Sequence, residues 1–96
     1  PQVFYYETSQ KGKELAQILQ EALNQKLDIA RPREIKANNT YYILKKTQIP
    51  TVIAECGFLS NTEEAEKLIS EDYQEQVAEA ICEGIRNYLR ERASVL

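Results

Sequence analysis

Glu55 follows directly on Thr51–Ala54, an apolar run where the pattern predicts burial rather than charge. Side chains alternate along a strand, so Thr51, Ile53 and Glu55 share one face and Cys56 points to the other. A carboxylate at the C-terminal end of a sheet strand lies where open α/β sheets place their ligand crevice. Burial there raises a carboxyl pKa towards the range that a general acid or base needs. A second reading has Glu55 ending the strand in solvent, or pairing with Lys36 or Arg33. Pattern alone favours the second reading, because shifted acids are common in structural pairs as well as in active sites.

Other chemistry is scarce. The sequence contains no histidine, so Ser60 has no imidazole to activate it as a nucleophile. Cys56 and Cys82 are too few and too far apart for a disulfide framework or a zinc knuckle. Each sits in an apolar setting, and buried free thiols are expected. A net charge of -3, with basic residues scattered rather than striped among aromatics, argues against a nucleic-acid partner.

These residues need elements to position them, and 96 residues allow one domain at most. Val3–Tyr6 is β-branched and aromatic and reads as a strand. Ser9 suits an N-cap, and Leu15, Ile18, Leu19, Ala22 and Leu23 fall on one face of a helix ending near Lys26. Asp28, Pro32, Asn38 and Asn39 mark the main loop. Tyr41–Leu44 reads as a short strand, and Thr51–Glu55, closed by Gly57, as one covered on both faces, as in a parallel sheet.

Asn61 and Glu64 have capping-box spacing for a helix from Thr62 to about Ile69. Ser70, Glu71 and Asp72 start another, with Tyr73, Val77, Ile81, Ile85 and Tyr88 as its apolar stripe. Gly84 interrupts that stripe in favour of close packing. Glu91–Leu96 reads as a frayed tail. The whole reads as α/β with a partial sheet and packed helices. Two or three strands make a poor sheet alone. The remaining strands are expected from an absent N-terminal segment or from a second copy, and an exposed strand edge favours a homodimer. No apolar stretch is long enough to span a bilayer.

The residues around Glu55 carry a resemblance. Pro50–Asn61 reads PTVIAECGFLSN. This resembles the closing motif of the zinc-dependent N-acetylmuramoyl-L-alanine amidases: proline, a short apolar strand, glutamate, any residue, glycine, phenylalanine, any residue, serine, asparagine. Pro50, Glu55, Gly57, Phe58, Ser60 and Asn61 match it. Gln2–Tyr6 is similar to the strand after that family's second zinc histidine. Lys13, Leu15, Ala16, Ile18 and Gln20 fit its next helix, with Gly12 where many members have serine. Glu64, Ala65, Leu68, Tyr73, Gln74, Ala78, Ile81, Gly84, Ile85 and Tyr88 fit its last two helices. The phrases QVFYYE, ECGFLSN and DYQEQVAEAI look most like the branch that acts on spore cortex in sporulation and germination.

The resemblance implies the C-terminal half of a phosphorylase/hydrolase-like amidase domain, with residues 1–96 as that portion and the zinc-binding N-terminal portion absent. It implies a peptidoglycan hydrolase that cuts between the lactyl group of N-acetylmuramic acid and L-alanine. Glu55 matches the catalytic acid–base beside a zinc-bound water, and Arg33 and Lys36 match a basic pair with a substrate-binding or surface role. The tyrosines either line a glycan groove or pack in the core, and packing is favoured for most. Localisation outside the cytoplasmic membrane, at the cell wall or developing cortex, is implied too.

The family's zinc ligands are two histidines and a glutamate upstream of Val3 in family order, and this chain has no histidine. No metal site and no activity are therefore expected of these residues alone. The competing expectation is a non-catalytic wall-binding or regulatory module derived from an amidase.

Overall fold

The computed structural model describes residues 1–29, 31–58 and 60–95. A three-stranded sheet is backed by two long helices. In chain order the elements are β1 (Gln2–Tyr6), α1 (Gln10–Lys26), β2 (Lys36–Asn38), α2 (Tyr42–Lys46), β3 (Val52–Glu55), α3 (Thr62–Leu68) and α4 (Glu71–Val95). The sheet order is β2-β1-β3. Strand β2 runs parallel to β1, with Phe4 opposite Lys36. Strand β3 runs antiparallel to β1, with Val3 opposite Ala54 and Gln2 opposite Glu55.

Helix α1 starts where expected, because the Ser9 hydroxyl accepts a hydrogen bond from the Gly12 amide at 3.0 Å. It ends at Lys26, and Asp28 follows at φ 49°, a left-handed conformation that aspartate tolerates better than most residues. Its buried face, Ala16, Leu19, Gln20 and Leu23, packs against Val3 of β1 and against Val77 and Ala80 of α4. Leu19 lies so close to Gly84 that a Cβ there would stand 2.6 Å from Leu19 Cδ2. Gly84 thus sets the approach of the two long helices, as its place in the stripe suggests.

The polar residue in this core is Gln20. Its Oε1 accepts from the Val3 amide at 2.8 Å, and its Nε2 donates to the Pro1 carbonyl at 3.1 Å. Pairing with β2 begins only at Phe4, so Gln20 stands in for the missing strand at the start of β1.

Several expectations are corrected. Tyr41–Leu44 is no strand: residues from Tyr42 onward form α2, and the strand beside β1 is Lys36–Asn38. Asn38 Oδ1 accepts from the amides of Thr40 and Tyr41, which turns the chain out of β2. Strand β3 is antiparallel, and all four of its residues are half-buried rather than covered on both faces. Among the described residues of α4 the buried ones are Val77, Ala80, Gly84 and Tyr88, while Ile85 is 44% exposed. The tail expected to fray from Glu91 continues α4 to Val95, and Leu96 lies outside the described residues. Cys82 is exposed, with Arg86 Nη2 3.5 Å from its sulfur, and only Cys56 is sheltered.

Candidate active site

Sheet alternation decides where Glu55 points. Val3, Tyr5, Val52 and Ala54 pack into the helix-backed core. Their neighbours Gln2, Phe4, Ile53 and Glu55 therefore occupy the opposite face. Glu55 is half-buried there, at the last ladder position of β3. Its carboxylate has no ion-pair or hydrogen-bond partner among the described residues.

The pairing of Glu55 with Lys36 or Arg33 is therefore not made. Lys36 lies on β2, with β1 between it and β3. Two strand spacings put the backbones about 9–10 Å apart. Arg33 instead lays its guanidinium 4.3 Å from the centre of the Phe58 ring. The structure thus brings Arg33 to the segment that leaves β3, and keeps Lys36, exposed, at the far edge of the sheet.

The exit segment Cys56–Phe58 is held from several sides. The Tyr73 hydroxyl of α4 donates to the Cys56 carbonyl at 2.6 Å. The Phe58 amide donates to Glu64 Oε2 at 3.0 Å. Gly57 has no positive φ, so it is not there to permit a left-handed turn. A Cβ at Gly57 would come within 3.3 Å of the Leu68 side chain, so glycine serves close approach of α3. Burial pushes the Cys56 thiol pKa up. Burial also raises the Tyr73 phenol, with Cys56 and Glu64 adding to the shift.

Tyr73 and Glu64 were missed as site-supporting residues. Tyr73 reads as one member of an apolar stripe. Glu64 reads as half of a capping box, of which the other half is present: Asn61 Oδ1 accepts from the Glu64 amide at 3.1 Å. The glutamate carboxylate turns to Phe58 instead of back to the Asn61 amide. The tyrosines divide as packing residues for the most part. Tyr41 meets Phe4 edge-on at 5.8 Å, Tyr5 joins the core and Tyr88 is buried, whereas Tyr42 is exposed.

A catalytic zinc finds no ligand set in these residues. Among the described residues no group of three or more His, Cys, Asp or Glu side chains is placed to hold a metal ion. A groove of about 710 Å³ runs between α1 and α4 past Lys13, Glu14, Gln17, Tyr88 and Arg92. It lies on the helical layer, behind the sheet face that carries Glu55, so size alone does not mark the candidate site. No helix among the described residues is long and apolar enough to cross a membrane.

A mixed sheet backed by α1 and α4, with an unpaired carboxylate at the end of β3, defines an α/β domain with a candidate acid–base at a strand terminus. The chain belongs to the N-acetylmuramoyl-L-alanine amidase family, whose model matches residues 2–87. It is 33% identical over 91 residues to the germination-specific N-acetylmuramoyl-L-alanine amidase of Bacillus subtilis, covering 95% of this chain and 38% of that protein. Among solved structures it is similar to the CwlD amidase from Clostridioides difficile in complex with the GerS lipoprotein. The TM-score is 0.89 and the identity 45%, over 93% of this chain and 45% of that one. The N-acetylmuramoyl-L-alanine amidase from Clostridium difficile 630 matches at TM-score 0.87 and 36% identity, over 93% of this chain and 47% of that one. The chain thus spans less than half the length of each of these relatives. Dimerisation through the strand edge finds no support in these comparisons.

Proposed function

We propose that residues 1–96 form the C-terminal portion of an amidase catalytic domain in a peptidoglycan hydrolase. The bond cut is the amide between the lactyl group of N-acetylmuramic acid and L-alanine, and Glu55 is the acid–base. The observation that carries this reading is the half-buried, unpartnered Glu55 carboxylate at the end of β3, inside a family match that spans residues 2–87. A carboxylate so placed accepts a proton from the attacking water and passes it to the amine as the C–N bond breaks. The family's zinc is proposed to be held by residues outside this chain, and no step is assigned to it here because these residues offer it no ligand set. On this reading the 96 residues alone hydrolyse nothing. Relatives named as germination-specific and cell wall amidases support a working place at the cell wall or spore cortex, outside the cytoplasmic membrane. Arg33 is proposed to meet substrate, a role supported by its guanidinium lying over Phe58 of the exit segment, and the position of Lys36 at the far edge supports that role less.

The test uses a longer protein that contains residues 1–96, assayed on purified peptidoglycan with added zinc for release of peptides beginning with L-alanine. Glu55→Gln is expected to lower turnover by roughly 10²- to 10⁴-fold, the usual contribution of a positioned acid–base group. Equal turnover in the wild type and Glu55→Gln removes Glu55 from the chemistry. Wall binding with no cleavage, in a folded and zinc-loaded protein, moves the non-catalytic module ahead.

A further inference from the structure

The last ladder pair of β1 and β3 is Gln2 with Glu55. One step further along this register stands Pro1, whose carbonyl, like the Val3 N–H, turns to Gln20 on the side of β1 away from β3. Cys56, opposite Pro1, thus falls at a non-hydrogen-bonded position of the antiparallel pair, so its carbonyl faces away from β1 and needs a donor from elsewhere. That donor is the Tyr73 hydroxyl, 2.6 Å away and 17 residues on in sequence. Tyr73 is itself fixed. It lies in the first turn of α4, its amide donates to the capping Ser70 hydroxyl at 3.4 Å, and its side chain packs against the core.

We infer that Tyr73 is a positioning residue for Glu55, holding the end of β3 through the Cys56 carbonyl so that the carboxylate keeps a fixed place and direction. The inference rests on the proposed role of Glu55 as the acid–base. Cys56 is the next residue in the chain, so its carbonyl and the Glu55 Cα are separated by a single peptide unit. Slack at that carbonyl becomes slack at the carboxylate. Substrate is not touched by Tyr73 in this scheme, and its loss leaves binding intact while fewer bound complexes have the proton acceptor in line.

The experiment compares Tyr73→Phe, Glu55→Asp, the double variant and Tyr88→Phe in the longer amidase. Tyr73→Phe keeps the ring and removes only the donor. A roughly tenfold fall in kcat is expected with KM within about twofold, since small misplacements of reacting groups cost one to two orders of magnitude. In the Glu55→Asp background, where the carboxylate is already retracted by one methylene, Tyr73→Phe is expected to add little, a non-additivity that marks two residues acting through one group. Tyr88→Phe removes a buried hydroxyl of the same helix that has no hydrogen-bond partner among the described residues, and wild-type kcat is expected. Amide hydrogen exchange is expected to rise at Glu55–Phe58 in Tyr73→Phe while α1 keeps its protection.

Wild-type kcat in Tyr73→Phe overturns the inference. So does an equal loss in both backgrounds, or a rise in exchange across the whole molecule, either of which makes Tyr73 a general support of the fold. The failure of the underlying reading looks different: Glu55→Gln and Glu55→Asp would both keep full turnover.

Discussion

A single buried amide ties α1 to the start of β1. Gln20 is 2% exposed and serves the Val3 amide, the Pro1 carbonyl and Asn24 Oδ1 together. Replacing it by leucine keeps much of the volume but leaves the Val3 N–H buried without an acceptor. Such an orphaned group costs about 1–3 kcal/mol. Gln20→Leu is therefore expected to lower the urea midpoint of unfolding, and an unchanged midpoint would show that water reaches the Val3 amide. Glu55 presents the contrasting case: a polar group on the opposite face of the sheet whose lack of partners among the described residues fits the proposed acid–base role.

At the scale of elements, the crossing of α1 and α4 depends on the absence of a side chain at Gly84. Valine there would meet both the Leu19 side chain and its backbone, since even a Cβ stands 3.3 Å from Leu19 Cα. Overpacking of this kind costs about 1–3 kcal/mol. Gly84→Val should lower the thermal midpoint, checked by circular dichroism. The long elements were legible because their signals are local and repeated. Ser9 and Asn61 cap the helices that their positions announce, and the faces of α1 and α4 follow the apolar period in most positions. Glu55 at a strand end was legible for the same reason.

What the sequence hid depends on partners distant in the chain. Lys36–Asn38 has no strand-forming composition and becomes β2 only because β1 lies beside it. Tyr42–Lys46 has β-like composition and becomes helical after the turn that Asn38 builds. The apolar run of β3 carries no mark of direction, so parallel and antiparallel pairing could not be told apart from it. Nor does any spacing reveal that Tyr73 reaches the Cys56 carbonyl. The family motif singled out Glu55 as the candidate, and the geometry supplied what holds the segment beside it.

For the whole molecule, alkaline pH is the sensitive direction. The Cys56 thiol and the Tyr73 phenol both have folded pKa values raised, chiefly by burial, above their ordinary 9.0 and 10.0. A raised folded value means that the folded state keeps its proton where the unfolded state has lost it. The stability they support is thus fully present below pH 9 and is lost as pH rises through the folded values. The Lys26 ammonium, raised through its hydrogen bond to Glu79, adds to the trend only beyond its ordinary 10.5. Urea midpoints should therefore fall between about pH 9 and 10.5, and should fall less in Cys56→Ser and in Tyr73→Phe. A flat profile would show that these two groups titrate alike in both states.

Helix α4 joins two of these features. Tyr73 and Gly84 are eleven residues apart on one unbroken helix. At the usual rise the intervening length is about 16 Å. One end bears on the α1 crossing and the other on the carbonyl beside Glu55. The helix therefore works as a strut with its pivot in the core. A small tilt forced at Leu19 and Gly84 would be carried along it as displacement at the strand end, so on the proposed role of Glu55 a substitution at this crossing is expected to lower turnover in protein that is still folded.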